Sequence, residues 1–211
     1  MTMAFSEYHK IQTVYLRDPE TKFKTLLEWQ YSLPEFEYLA RNEWTFTEKV
    51  DGTNIRVMWD GSGLSYGGKT DNASIPAPLV HHLRSAFDDK AVLFGDIFEN
   101  GVCLYGEGFG GKIQAAGKLY GDIDFVLFDV RVGDVWLRRE SVEDIAKQLQ
   151  IPVVPIIGVG TLPQMVEMAR RGFDSQWGNF PAEGIVARPS VDLFDRLGKR
   201  VITKIKTRDF C

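Results

Sequence analysis

Hydrophobic and polar residues alternate with a period of two over much of the chain, which predicts an architecture rich in β-strands. In order, the segments with this pattern are WTFTEKV, TNIRVMW, GLSYGG, VCLYGEGFG, IDFVLFDVRVG, EGIVARP and RVITKIKTRDF, and IPVVPIIGVG is also predicted to be extended. The pairs Asp51-Gly52 and Asp60-Gly61 follow the first two of these segments. Asp-Gly is a strong signal for the tight turn of a β-hairpin, so we expect two antiparallel hairpins here.

Apolar residues spaced three and four apart predict helices in LPEFEYLARN, PAPLVHHLRSAF, SVEDIAKQL and LPQMVEMARRGF, and we favour a helix for KAVLFGDIFENG. In the second of these segments, Leu79, Leu83 and Phe87 fall on one stripe. Ser141 is the expected N-cap of the third segment, and Gly172 should stop the fourth. Strands outnumber helices, which indicates the α+β class, with two antiparallel sheets flanked by helices.

Side chains alternate between the two faces of a strand, so two strands carry residues that should lie side by side. Val126, Phe128 and Val130 are expected to share one face of IDFVLFDVRVG. Lys204 and Lys206 are expected to share one face of the last strand. Like charges on one face repel each other unless an anion lies between them, and a phosphate would satisfy both lysines.

The chain has 211 residues, the size of one domain, so residues 1–211 are predicted to form a single domain. Its composition, 44% apolar and 26% charged, is that of an ordinary globular protein. A net charge of −4 argues against a broad basic surface for nucleic acid. A local basic groove is still compatible with DRLGKRVITKIKTRDF, which contains six Lys and Arg residues. This segment is either a solvated strand edge or a surface that faces phosphate.

The two cysteines, Cys103 and Cys211, form no CxxC pair, so neither a disulfide framework nor a structural zinc site is predicted. The start of the chain has no apolar signal core, and no apolar run is long enough to cross a bilayer. We therefore expect a cytoplasmic protein with no membrane partner.

Several charged residues stand where the pattern predicts apolar side chains or turns, and they are Lys49, Asp51, Glu107, Glu183, Lys204 and Lys206. A lysine amine attacks phosphorus only in its neutral form, which neighbouring cations favour. Lysines can also hold the phosphate under attack, and carboxylates suit Mg²⁺, directly or through its waters. Taken singly, each residue has an ordinary explanation: Lys49 as a solvated strand residue, Glu107 as a loop residue and Phe128 as core.

Taken in order, KVDG, LYGEG, FVLFDV, EGIVAR and KIK resemble motifs I, III, IIIa, IV and V of the covalent nucleotidyltransferases. These enzymes are the polynucleotide ligases and the messenger-RNA capping enzymes. EKVDGTN followed by GGKTDN is most similar to phage RNA ligases of the RNA ligase 2 type, and the resemblance runs from about Trp44 to Phe210. It implies a nucleotidyltransferase fold, and because the sequence ends just past Lys206 we expect no C-terminal OB-fold or helical domain.

The resemblance implies a three-step reaction. Lys49 would attack the α-phosphate of ATP, expel pyrophosphate and hold AMP through a phosphoramidate. AMP would then pass to the 5′-phosphate of an RNA strand, and a 3′-hydroxyl would displace it to join the strands. Asp51, Glu107 and Glu183 would order the water shell of Mg²⁺ or Mn²⁺. The partner would be RNA with 5′-phosphate and 3′-hydroxyl ends, as a nicked duplex or a broken loop, and we expect a monomer.

The resemblance also implies nucleotide-binding roles for Glu48, Lys49, Asn54, Lys69, Glu107, Phe128, Val186, Lys204 and Lys206. Phe128 would stack on adenine, with Val186 on the other face of the base. Asn54 matches an asparagine that helps to bind the 5′-phosphate end. Lys69 stands where the family usually has arginine, and a lysine cannot make a bidentate fork to phosphate.

Three other functions compete with an RNA ligase. A minimal ATP-dependent DNA ligase would share the same motifs. A capping guanylyltransferase is disfavoured because the usual domain after motif V is not expected here, and NAD as the donor is disfavoured because that class carries an extra N-terminal domain. A non-catalytic nucleotide or RNA-end sensor would not require the nucleophile, so intact Lys49, Glu183 and Lys206 argue against it.

Overall fold

A computed structural model of the chain describes residues 5–210, and Cys211 lies outside the described residues. These residues form two compact units. The first unit contains residues 5–9 and Asp51–Val154, and the second contains Lys10–Val50 and residues 155–210. In the part of the chain that the structure describes, no helix is both long and apolar enough to span a bilayer.

The structure contains twelve strands and five α-helices among the described residues. The strands are β1 (Gln12–Thr13), β2 (Tyr15–Arg17), β3 (Leu26–Tyr31), β4 (Trp44–Lys49), β5 (Thr53–Trp59), β6 (Leu64–Gly67), β7 (Val102–Phe109), β8 (Asp124–Val132), β9 (Val135–Trp136), β10 (Ile156–Gly160), β11 (Gly184–Pro189) and β12 (Thr203–Lys206). The helices are α1 (Pro34–Tyr38), α2 (Ala77–Phe87), α3 (Ala91–Ile97), α4 (Arg139–Leu149) and α5 (Leu162–Arg171). The helix favoured for KAVLFGDIFENG is confirmed as α3.

The first unit contains a five-stranded antiparallel sheet in the order β6-β5-β7-β8-β9. Residues of α2, α3 and α4 join one face of this sheet in a single apolar cluster. The stripe predicted for α2 is confirmed, since Leu79, Leu83 and Phe87 are fully buried in that cluster. The helices thus cover one face, which leaves the other face of the sheet to carry polar side chains.

The second unit contains a five-stranded sheet in the order β1-β12-β11-β4-β10 and a separate two-stranded ribbon, β2-β3. The short strand β1 runs parallel to β12, and all other pairs of this sheet are antiparallel. Helix α5 packs on the sheet through Leu162, Met165 and Ala169. It begins with a capping box between Thr161 and Gln164 and ends at Gly172, as predicted. The α+β class, with two mainly antiparallel sheets and flanking helices, is confirmed.

The prediction of a hairpin at Asp51-Gly52 is wrong, although the predicted hairpin between β5 and β6 is confirmed. Strand β4 pairs with β10 and β11, whereas β5 pairs with β6 and β7, so the two strands belong to different sheets. Asp51-Gly52 is therefore the link from one unit to the other. Gly52 is needed there for close packing, because a Cβ at this residue would lie 2.3 Å from the Gly108 carbonyl oxygen.

Two local expectations are also wrong. Helix α4 begins two residues before Ser141, with Arg138 as its N-cap. The register between β7 and β8 shifts so that Phe128 is an extra residue opposite Tyr105 and Gly106. This β-bulge breaks the alternation, and Val130 turns into the apolar cluster while Val126 lies outside it.

Close packing between β11 and β12 gives a prediction for stability. A Cβ at Gly184 would lie 2.2 Å from the Ile205 carbonyl oxygen and 2.7 Å from Lys206 Cα, so one strand would have to move. We expect Gly184→Ala to lower the free energy of unfolding by about 1–3 kcal/mol in urea titrations. The control is Gly63→Ala, where nothing lies within 4 Å of the added atom. Equal stability of the two variants would contradict the prediction.

Candidate functional site

Three adjacent strands of the second unit bring two of the predicted lysines into one row. Gly184 of β11 lies opposite Lys49 of β4 on one side and opposite Lys206 of β12 on the other. Opposed residues in antiparallel strands point to the same face, so both lysines lie on one face of the sheet. Gly184 has no side chain, so β11 itself places no side chain between the two lysines in this row.

The carboxylate of Glu183 lies between these lysines. Its Oε2 is 2.6 Å from Nζ of Lys49, and its Oε1 is 2.6 Å from Nζ of Lys206. The side chains of both lysines are 20% exposed and that of Glu183 is 11% exposed, so the three charges are partly buried. A single carboxylate thus pairs with two cations, so the cluster keeps a net positive charge that suits a phosphate.

The next row on the same face contains Thr47, Val186 and Lys204, which are direct neighbours across β4, β11 and β12. Lys204 and Lys206 are both half-buried, whereas the residues on either side of Lys204 are buried. The prediction that both lysines share one face is therefore confirmed. Val186 offers an apolar surface beside the charged row.

Glu48 lies on the opposite face of β4 from Lys49 and is almost fully buried. Its Oε1 accepts a hydrogen bond of 2.6 Å from the Ser175 hydroxyl, and its Oε2 accepts one of 2.8 Å from the backbone N–H of Gln176. Burial raises the pKa of Glu48, although these two hydrogen bonds oppose the shift. The residue thus fastens the loop before β11 to the strand of Lys49, and its nucleotide-binding role stays a prediction.

In the first unit, Asn54 of β5 lies directly opposite Glu107 of β7, so their side chains share a face. Glu107 therefore lies within a strand, although it also falls between two glycines. Asp51 precedes β5, and its backbone N–H donates a hydrogen bond of 3.2 Å to the Tyr120 hydroxyl. The described part of this unit thus holds three of the predicted site residues close to the same end of β5.

The bulge in β8 presents Phe128 on the face that also carries Tyr105. The ring of Tyr8 packs edge-on against Phe128 with 5.1 Å between centroids, and lies 5.2 Å from the ring of Tyr105. The Tyr8 hydroxyl donates a hydrogen bond of 2.8 Å to the buried carboxylate of Asp129. A residue from the start of the chain therefore packs against the predicted adenine platform.

Lys69 lies in the exposed loop that follows β6. The guanidinium of Arg56, which is 1% exposed, donates hydrogen bonds of 2.8 Å to the Gly68 carbonyl oxygen and to Oδ1 of Asp71. Arg56 lies two residues from Asn54 on the same face of β5. The structure therefore ties the loop of Lys69 to the strand of Asn54.

Sequence reasoning missed Tyr8, Arg56 and Ser175. Tyr8 and Ser175 contact residues 121 and 127 positions away, so no local pattern could have indicated them. The pattern gave no signal for Arg56, since a charged residue on the face of Asn54 continues the polar and apolar alternation of TNIRVMW.

The carboxylates of Asp51, Glu107 and Glu183 have the oxygen donors that Mg²⁺ and Mn²⁺ prefer. In the described part of the chain, no three His, Cys, Asp or Glu side chains lie together in a cluster that could hold a metal ion. Mg²⁺ keeps several waters and is commonly held by only one or two carboxylates plus substrate phosphates. The donor chemistry therefore fits such an ion, and the metal-binding roles stay predictions.

A family comparison matches residues 42–206 to the family described as RNA ligase. This match covers well over half of the 211 residues. It includes Lys49, Glu183 and Lys206, and it leaves Tyr8 outside. No curated protein matches the chain.

Solved structures of Naegleria gruberi RNA ligase are similar to this chain. A lysine-to-alanine variant with ATP and Mn has a TM-score of 0.67 at 22% identity, over 95% of this chain and 56% of the other. An aspartate-to-alanine variant without ligand has a TM-score of 0.64 at 23% identity, and the match covers 84% of this chain and 52% of the other. The chain thus spans about half the length of these structures, and at this identity the likeness shows a shared fold.

Proposed function

Because this chain belongs to the RNA ligase family, we propose that it joins RNA ends with ATP, through a lysine-bound AMP. The observation that carries the proposal is the single carboxylate of Glu183 held between the amines of Lys49 and Lys206. The ATP and Mn named for a matched Naegleria gruberi structure support ATP as the donor and a divalent cation as the cofactor. We further propose that residues 1–211 act as one nucleotidyltransferase domain in the cytoplasm.

In the first step, Nζ of Lys49 attacks the α-phosphorus of ATP, a P–N bond forms and the bond to pyrophosphate breaks. An ion-paired ammonium has no lone pair, so the contact between Lys49 and Glu183 must open and the ammonium must give a proton to solvent water before it attacks. Once Lys49 is released, Glu183 still has its ion pair with Lys206, so the carboxylate does not become an unpaired charge.

The sheet face that carries Lys49 also presents two lysines that could bind phosphate. Lys206 lies in the same row as Lys49, and Lys204 lies in the next row on that face. Charge-assisted hydrogen bonds from these amines to phosphate oxygens would strengthen as charge develops on the leaving pyrophosphate. Val186 lies opposite Lys204 and would supply apolar contact for the base.

We propose that Glu183 holds Mg²⁺ or Mn²⁺ through water, and that Asp51 and Glu107 take the same role. Bound there, such an ion would polarise the phosphate and stabilise negative charge on its oxygens. Phe128 is proposed to stack on adenine, Glu48 to bind the nucleotide, and Asn54 and Lys69 to bind phosphate, on the strength of the motifs that contain them.

The second and third steps act on nucleic acid. AMP moves from Lys49 to a 5′-phosphate, and a 3′-hydroxyl then attacks that phosphate and releases AMP. We propose RNA as the strand that supplies the 3′-hydroxyl, since the chain belongs to the RNA ligase family and EKVDGTN resembles RNA ligases most. A protein distinguishes RNA through its 2′-hydroxyls and A-form shape.

The test of this substrate is a matched set of nicked duplexes, with ribose or deoxyribose on each side of the nick. We expect sealing to require ribose on the 3′-hydroxyl side and to tolerate deoxyribose on the 5′-phosphate side. Binding of the nicked duplex should be weak and should fall with salt, because it depends on the few phosphates that the local basic residues neutralise. Gel separation of the sealed product gives the rates.

The other outcomes separate the alternatives. Equal sealing of an all-DNA nick would favour a minimal DNA ligase. Joining of single-stranded ends, with no sealing of any nick, would favour an end-joining RNA ligase. Binding of ATP with no covalent product would favour a nucleotide sensor.

A further inference from the structure

Arg56 is a fully buried arginine to which the proposed function gives no role. It lies in the middle of β5 and is 1% exposed. A charge removed from water is costly unless its partners are well arranged, so the contacts of a buried guanidinium indicate what it is for. Here both hydrogen bonds from this guanidinium lead to one loop.

The loop begins where β6 ends. Nε of Arg56 donates to the Gly68 carbonyl oxygen at 2.8 Å, and Nη2 donates to Oδ1 of Asp71 at 2.8 Å. Gly67 lies directly opposite Arg56 across β5 and β6, and a Cβ there would lie 3.1 Å from Nη2. The backbone of the loop is therefore packed directly against the guanidinium.

Lys69 lies between the two anchored residues, Gly68 and Asp71, and is itself exposed. A lysine is a single charge on a flexible stem, so the position of its amine depends on how firmly its backbone is held. We infer that Arg56 is a positioning residue, which fixes the loop so that Lys69 meets phosphate. This inference rests on the proposed function, because it takes the phosphate role of Lys69 from it.

The two anchors differ in strength. Asp71 has a side chain that is 77% exposed, so its ion pair with Arg56 is screened by water and contributes little. The bond to the Gly68 carbonyl is buried and cannot be replaced by water when it is lost. The planar fork of arginine serves both anchors at once, whereas a lysine amine at the same position cannot.

The experiment is a double-mutant cycle with Arg56→Lys and Lys69→Ala, which keeps the positive charge at residue 56. The rate of AMP attachment is measured at saturating and at limiting ATP for all four proteins. We expect Arg56→Lys to lower the rate at limiting ATP about tenfold, with a smaller change at saturation. We expect the double variant to lose no more activity than Lys69→Ala alone, because Arg56 acts through Lys69.

Amide hydrogen exchange, measured without ATP, supplies the second readout. Exchange in residues 68–73 should speed up in Arg56→Lys. It should speed up less in Asp71→Ala, which leaves the buried Arg56 side chain in place. Additive losses in the cycle, or unchanged exchange in the loop, would overturn the inference. If the wild-type protein forms no AMP adduct, the proposed function fails, and ATP affinity measured in the same four proteins decides the role of Arg56.

Discussion

Replacing Lys49 with alanine should abolish the covalent attachment of AMP. In the wild-type protein, incubation with ATP and Mg²⁺ should add one AMP to the intact mass, and the adduct should be labile to acid, as a phosphoramidate is. The alanine variant has no amine to attack phosphorus. Arginine keeps the charge but is always protonated and is no nucleophile, so Lys49→Arg should also form no adduct.

The control for this result is Lys147→Ala, which removes an exposed lysine on α4. It should attach AMP at the wild-type rate. Labelled GTP and NAD, supplied in place of ATP, should leave no adduct on the wild-type protein. Label on the Lys49→Ala protein would show that another residue is the nucleophile, and label from GTP would favour a capping enzyme.

Replacing Lys206 with alanine should slow AMP attachment by roughly 10- to 150-fold. This range corresponds to the loss of one charge-assisted hydrogen bond to phosphate, worth about 1.5–3 kcal/mol. The variant also leaves Glu183 with Lys49 as its one ion-pair partner in this cluster, so the contact that must open before attack is no longer shared with a second lysine. Rates at saturating ATP, followed by intact mass, give the size of the effect.

The fold should tolerate this change, since the Lys206 side chain is polar and 20% exposed. The urea midpoint of Lys206→Ala is therefore expected to match that of the wild type. Lys199→Ala, which removes an exposed lysine from the loop before β12, is the matched control for both measurements. A wild-type rate for Lys206→Ala, or a loss of rate equal to that of Lys199→Ala, would rule out the phosphate role.

Much of the fold could be predicted because each helix and strand has its own spacing of apolar and polar residues. The stripe of α2 and the shared face of Lys204 and Lys206 follow from the spacing of buried residues along one element. The end of α5 follows from Gly172, whose φ of 73° favours glycine.

What failed were inferences about partners far along the chain. Asp51-Gly52 has the composition of a hairpin turn, but pairing of β4 with β11 outweighs that local preference. The bulge at Phe128 depends on the register of β7 against β8, which no single strand contains. In the same way, Glu183 meets Lys49 across 134 residues, so its position between two lysines could not be read from its own motif.

The insertion of Asp51–Val154 into the second unit has a consequence for synthesis of the protein. Strand β4 leaves the ribosome early, but its neighbours β10 and β11 follow only after the whole insertion has been made. Contacts between residues so distant in sequence form slowly, and an unpaired apolar strand is prone to aggregate meanwhile. The nascent chain therefore carries its proposed nucleophile on an open strand edge. It gains the other lysines of the cluster only when the last strand, β12, emerges.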